Sequence, residues 1–206
     1  LIQCLEAGKA VYAEKPCAVS EADLDRLIKT SRRTGVLFRE MSGSAFIQPY
    51  LALRRIVLAG TLGEVIQVFA QKSYPYFDRR PDDEDVDGGL TLQCGVHAFR
   101  FIEHITGLKI QDVQAIETTL GNRGRGELRM ACGCTMTLEN GANAVALLNY
   151  LNPRGFGSWG NEHVRIFGVE GIAEAVDAGK RTRLVVGQTD HGQIDTSETA
   201  ADYFDQ

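Results

Sequence analysis

A lysine and a histidine that share one site can hold a hydroxyl oxygen and move its proton. This sequence offers a candidate of each in a defined local setting. The histidine is His97, in the stretch DGGLTLQCGVHAFRFIEHITG from Asp87 to Gly107. Gln93, His97, Arg100 and His104 recur three or four apart there, and at ~100° per residue they share a narrow sector of a helix. Leu92, Val96, Phe99, Ile102 and Ile105 supply the expected core side. The helix then carries a row of proton-handling and hydrogen-bonding groups opposite its core, a pattern that a plain solvated face also shows. Gly88 and Gly89 open the stretch, where a missing Cβ lets another group approach the backbone. The lysine is Lys15 in AVYAEKP, a short apolar run of strand type. Proline cannot continue a strand ladder, so Glu14-Lys15-Pro16 sits at the strand's end.

The elements that must position these residues can be read along the chain. LIQCLEAGK reads as the last turns of a helix stopped by Gly8. After the AVYAEKP strand, Ser20 caps a helix with Asp23 three positions on, and Leu24, Leu27 and Ile28 supply its buried stripe up to Gly35. GVLFREM is a second strand, which makes a βαβ unit with parallel strands. From Ile47 to Ala59 the spacing of Ile47, Leu51, Arg54 or Arg55 and Leu58 predicts a helix, ended by Gly60 and followed by the strand VIQVFAQKSY. Residues 75 to 87, PYFDRRPDDEDVD, suit neither helix nor strand; Tyr76, Arg79 and Arg80 are binding candidates on this loop. Beyond position 110 the pattern is sheet. IQDVQAIETTL is one strand, CGCTMTLE and ANAVALLNYL form a hairpin around Asn140-Gly141, and HVRIFGVEGIAEAVDA and RTRLVVGQ read as two more.

Composition narrows the function classes. The chain has 206 residues, 44% of them hydrophobic, enough for a sizeable core. A net charge of −5 with scattered basic residues gives no footprint for nucleic acid. No apolar run approaches the ~20 residues a membrane span needs, and the cytoplasm is the expected compartment. Cys4, Cys17, Cys94, Cys132 and Cys134 form no CxxC pair and are expected to be reduced. His97, His104, His163 and His191 lack metal-ligand spacing with carboxylates, so no metal is expected. GNRGRGE at 121 to 127 has its glycines in the wrong order for a phosphate-binding loop.

The order of motifs carries more than any one of them. A strand-end EKP after a helix and AGK, a βαβ crossover, LGEV, then GG followed by Gly95-Val96-His97, together resemble the glucose-fructose oxidoreductase and inositol dehydrogenase family, often written Gfo/Idh/MocA. The NGA hairpin at Asn140 to Ala142 and the IFGVEG turn at 166 to 171 extend the resemblance over almost the whole chain. It implies an α/β Rossmann remnant followed by an α+β domain with an open, largely antiparallel sheet. Residues 1–42 would be the C-terminal part of a dinucleotide-binding domain, and 43–206 a substrate and oligomerisation domain. In such enzymes the GxGxxG turn precedes the part that begins here and a closing helix follows the part that ends here.

The resemblance also implies NAD or NADP as cofactor, a small-molecule substrate of the sugar, cyclitol or polyol type, and a homo-oligomer built through the open sheet face. Lys15 and His97 would be the catalytic pair flanking the substrate. Glu14, Lys15 and Pro16 would line the nicotinamide end, with Pro16 in a cis bond, and Gln93, Tyr76 and Arg79 would contact substrate. Two positions depart from the family pattern. Gln93 stands where an aspartate is common, and it cannot ionise or take a proton; Ala45 precedes Phe46 where an arginine is frequent. A non-catalytic sugar- or nucleotide-binding protein on the same fold is the alternative.

Overall fold

The computed structural model describes residues 1–41, 43–76, 83–122 and 126–200. Helix α1 (Ile2–Glu6), strand β1 (Val11–Glu14), helix α2 (Glu21–Thr34) and strand β2 (Phe38–Met41) come first. β1 and β2 pair in parallel, from Val11 opposite Phe38 to Glu14 opposite Met41, so α2 is the crossover of the expected βαβ unit. The Asp23 N–H donates to the Ser20 hydroxyl at 3.2 Å, and Gly35 ends the helix in the left-handed conformation. Leu5, Val11, Ala13 and Leu27 make a small core of their own. Leu24 was expected beside Leu27 but is 37% exposed, because a two-stranded sheet is too narrow to cover the whole apolar side of α2.

A 3₁₀ turn over Gly43–Phe46 leads to helix α3 (Tyr50–Leu58). Its buried side is Tyr50, Leu53 and Val57 rather than the expected Ile47, Leu51 and Leu58. The helix begins only after Pro49, so Ile47 lies outside it, and Leu58 faces solvent. The stretch expected to be loop contains one helical turn, α4 (Glu84–Asp87), closed by Gly88. A π turn over Thr91–Gly95 then runs into helix α5 (Val96–Thr106).

Eight strands form the main sheet: β3 (Val65–Ser73), β4 (Ile110–Thr118), β5 (Ala131–Leu138), β6 (Asn143–Asn149), β7 (Asn161–Gly168), β8 (Gly171–Val176), β9 (Arg181–Val186) and β10 (Thr189–Gly192). Their order is β10-β9-β8-β7-β3-β6-β5-β4. Every neighbouring pair is antiparallel except β3 and β6. The β5–β6 hairpin turns at Asn140-Gly141, where Gly141 has φ +85° and the Asn140 side chain accepts from the Ala142 N–H at 3.0 Å. Where the sequence suggested two terminal strands there are four. HVRIFGVEGIAEAVDA divides at Gly168, whose position leaves no room for a Cβ against the Leu62 carbonyl, and TDHG adds an edge strand.

Helices α3 and α5 cover one face of this sheet. Ala70, Ala144, Ala146, Ala173 and Ala175 line that face, fully buried, and their small side chains let the helices lie close. The other face carries Gln67, Phe69, Gln71, Val145 and Leu147 in alternation with the buried residues, and no helix among the described residues covers it. No described helix is long and apolar enough to cross a membrane.

Candidate functional site

Lys15 follows the last residue of β1, and the Lys15-Pro16 peptide is cis. Its ammonium reaches across to the π turn and donates to the Gln93 backbone carbonyl and to the Gln93 side-chain oxygen, both at 3.0 Å. From the main sheet, Tyr74 directly follows β3, and Lys15 Nζ lies 5.3 Å from the centroid of its ring. A second ammonium, Lys72 on β3, lies 4.8 Å from the same centroid. Lys72 is almost wholly buried and pairs with the Glu162 carboxylate across the β3–β7 ladder. The Trp159 ring is 5.8 Å from that of Tyr74.

His97 lies beneath this cluster. Its Nε2 is 2.9 Å from the Tyr74 hydroxyl and its Nδ1 is 3.0 Å from Ser44 Oγ. The row of four expected on one helix side is therefore divided: His97 is buried, Gln93 and His104 are half-buried, and Arg100 is exposed. The helix has two covered sides, which an amphipathic reading with one core face does not foresee. The sheet takes Ala98, Ile102 and Ile105. The 3₁₀ turn and α3 take the other side, where Ser44 meets His97, Phe46 lies 4.2 Å from the His104 ring and Tyr50 lies 4.4 Å from Phe101. For the same reason Phe99 and Val96 are only half-buried.

Burial, followed by the charges of Lys72 and Lys15, holds the His97 pKa down to about 3. The imidazole is neutral at physiological pH, so the cluster contains two ammonium groups against one carboxylate, Glu162. Such a site favours an oxygen that gains negative charge. His104 is held down to about 4, by burial first and then by Arg54 and Arg100. Both pKa values lie below the ordinary 6.5, so the unfolded chain binds protons that the folded chain refuses. The stabilisation is complete above pH 6.5 and is lost as pH falls from there toward 4 and 3. Urea unfolding should therefore weaken steadily below pH 6.5, His97 alone contributing a slope of ~1.4 kcal/mol per pH unit. His97→Gln should flatten that slope; an unchanged pH dependence in the variant would show that the imidazole is not buried neutral.

Of the other expected site residues, Glu14 is exposed at the end of β1 and Pro16 is half-buried. Tyr76 packs half-buried against the main core and makes no hydrogen bond among the described residues. Arg79 and Arg80 lie outside the described residues. Tyr74, Lys72, Glu162, Ser44 and Trp159 were not foreseen. Lys72 and Tyr74 left a trace in the sequence: in VIQVFAQKSY they continue the inward alternation of Val68 and Ala70, and a lysine at an inward position needs a partner. Ser44 left none.

An open cleft of about 390 Å³, lined by Tyr12, Phe38, Arg39, Glu40, Gly43, Phe46 and Arg100, separates the β1–β2 layer from α5. A second, of about 350 Å³, adjoins the cluster through Trp159 and is lined by Pro75, Pro153, Arg154, Gly157 and Ser158 besides. Among the described residues no three His, Cys, Asp or Glu side chains gather as a metal site would need.

A parallel βαβ unit that hands a lysine to a helix lying on an open-faced, largely antiparallel sheet defines a class of two-layer α/β architecture. Residues 50–174 match the GFO/IDH/MocA C-terminal domain, and the chain belongs to that family. Bovine trans-1,2-dihydrobenzene-1,2-diol dehydrogenase is 34% identical over 109 residues, 52% of this chain and 32% of that protein. A solved Thermotoga maritima chain assigned as an oxidoreductase matches with a TM-score of 0.85 at 31% identity, over 94% of this chain and 61% of its own. An inositol dehydrogenase homologue from Azotobacter vinelandii, complexed with NADH and myo-inositol, matches with a TM-score of 0.79 at 18% identity, over 98% of this chain and 54% of its own. That last likeness is one of fold. The chain spans about a third of the length of the curated relatives it matches first.

Proposed function

We propose that this chain is part of an oxidoreductase that transfers a hydride between a nicotinamide cofactor, NAD or NADP, and a sugar, cyclitol or related polyol. The observation that carries this reading is convergence. Lys15 and His97, from separate layers and more than eighty residues apart in sequence, meet on one tyrosine, Lys15 over its ring and His97 at its hydroxyl. Lys15 would hold the reacting oxygen, its charge favouring the alkoxide that forms as the proton leaves. Gln93 orients Lys15 and supplies no charge of its own. The relatives named above support the substrate class, since one is named for a cyclic diol and one is bound to a cyclitol.

The residues present fit the nicotinamide end of a dinucleotide. The C-terminal ends of two parallel strands meet the cluster, and the Glu14 carboxylate is exposed beside Lys15 to accept from ribose hydroxyls. The cofactor would supply the hydride acceptor or donor; the chain supplies the oxygen's partners and the proton's path. Residues 1–42 are read as the end of the dinucleotide-binding domain and 43–206 as the substrate and assembly domain. The uncovered sheet face, with Phe69, Val145, Leu147 and Ile172, is the surface through which copies would associate.

The test is a protein carrying this chain together with its dinucleotide-binding segment, assayed with NAD⁺ and NADP⁺ against a panel of polyols and cyclic diols. Growth of the reduced-nicotinamide absorbance is expected with at least one pair. Saturable binding of a sugar without turnover would favour a sensor, and a monomer in sedimentation of the same preparation would remove the assembly.

A further inference from the structure

His97 has no nitrogen left for a substrate. Nδ1 is taken by Ser44 Oγ at 3.0 Å and Nε2 by the Tyr74 hydroxyl at 2.9 Å, in a ring only 7% exposed. A neutral imidazole has one donor and one acceptor nitrogen, so those two contacts exhaust it. A phenol hydroxyl has one proton and two lone pairs. If Tyr74 spends its proton on Nε2, both lone pairs remain, and Lys15 stands over the same ring. Ser44, the other end of the chain of contacts, belongs to the 3₁₀ turn that walls the 390 Å³ cleft.

We propose that Tyr74, and not His97, exchanges the proton with the substrate hydroxyl, and that His97 and Ser44 carry that proton onward to solvent. This rests on the oxidoreductase reading and deepens it. In the oxidative direction the substrate O–H bond breaks and its proton goes to Tyr74 Oη. The Tyr74 proton goes to His97 Nε2, the proton on Nδ1 goes to Ser44 Oγ, and the Ser44 proton goes to water. The C–H electron pair leaves as hydride to oxidised nicotinamide, and the carbon keeps a C=O bond. Each relay group ends with the number of protons it began with, and reduction runs the sequence backwards. The relay requires His97 as the Nδ1–H tautomer. The low basicity of the buried ring suits it to pass a proton on without storing it.

Two measurements test this. Nitrogen-detected NMR of this chain labelled at histidine should show His97 as the Nδ1–H tautomer, and Tyr74→Phe, which keeps the ring between the lysines, should shift the Nε2 resonance alone. An Nε2–H tautomer, or a spectrum unmoved by Tyr74→Phe, overturns the relay. In the turnover assay, Tyr74→Phe should lower kcat on the order of 10²- to 10⁴-fold with KM little changed, and more than His97→Gln or Ser44→Ala does. A larger loss in His97→Gln than in Tyr74→Phe returns the proton to His97. A wild-type protein that turns over none of the panel overturns the underlying reading instead, and the NMR result tells that failure apart from a failed relay.

Discussion

Lys15→Ala in the cofactor-competent protein is expected to lower kcat on the order of 10²- to 10⁴-fold, the range in which a positioned proton-handling group contributes, with dinucleotide affinity nearly unchanged. The ammonium sits where three things meet: the end of β1, the two oxygens of Gln93 at 3.0 Å and the Tyr74 ring. A methyl group there can neither hold the reacting oxygen nor offset its charge. Lys15→Arg should not rescue, because a planar guanidinium fork is wider than the point charge that bridges two oxygens of a single residue. The same substitution has a second readout that needs no substrate. Lys15 is one of the two cations that hold His97 down, so the imidazole should become more basic in Lys15→Ala than in the wild type. Turnover within a few-fold of wild type would remove Lys15 from the chemistry, and the binding-protein reading would gain from it.

Much of this arrangement was legible because it depends on local rules. Gly8, Ser20, Gly35 and Gly107 end or begin helices by backbone conformation or side-chain capping, and each reads directly from its residue type. Asn140-Gly141 marked its hairpin for the same reason. The strand end that carries Lys15 followed from Pro16. What did not follow was anything set by two elements meeting. The period of α5 identifies one apolar side, yet the helix is covered on two, so His97 is interior and Arg100 is not. α3 starts after Pro49 and buries a different side from the one its spacing suggests. The division of the terminal run into β7 and β8 is enforced at Gly168 by a carbonyl from Leu62, a residue more than a hundred positions away. Tyr74 is the clearest case: nothing in KSYPY says that its ring will sit between two lysines, because one of them arrives from the other layer.

The second large effect concerns the lysine that does not face the substrate. Glu162→Ala is expected to destabilise the fold by about 3–5 kcal/mol, the cost of leaving a buried charge without its partner. The side chains of Lys72 and Glu162 are 5% and 13% exposed, so water cannot replace the lost carboxylate, and the pair should be only weakly sensitive to salt. Glycine at 160 belongs to the same packing, since a Cβ there would come within 3.0 Å of Lys72 Nζ. The double change Lys72→Met with Glu162→Leu removes both charges at similar volume and should recover most of the loss, because a buried ion pair and its apolar replacement are often close in stability. Why a buried pair is kept at all is then answered by the site. Lys72 lies 4.8 Å from the Tyr74 ring centroid and is the first-named charge that lowers His97. The double variant should therefore fold well, yet carry a more basic His97 and a slower proton transfer. Urea unfolding of the three proteins with histidine titration by NMR separates the two roles. A Glu162→Ala cost below about 1 kcal/mol, the level of an exposed pair, would show that Lys72 finds water or another partner. An unmoved His97 in the double variant would show that its charge does not reach the imidazole.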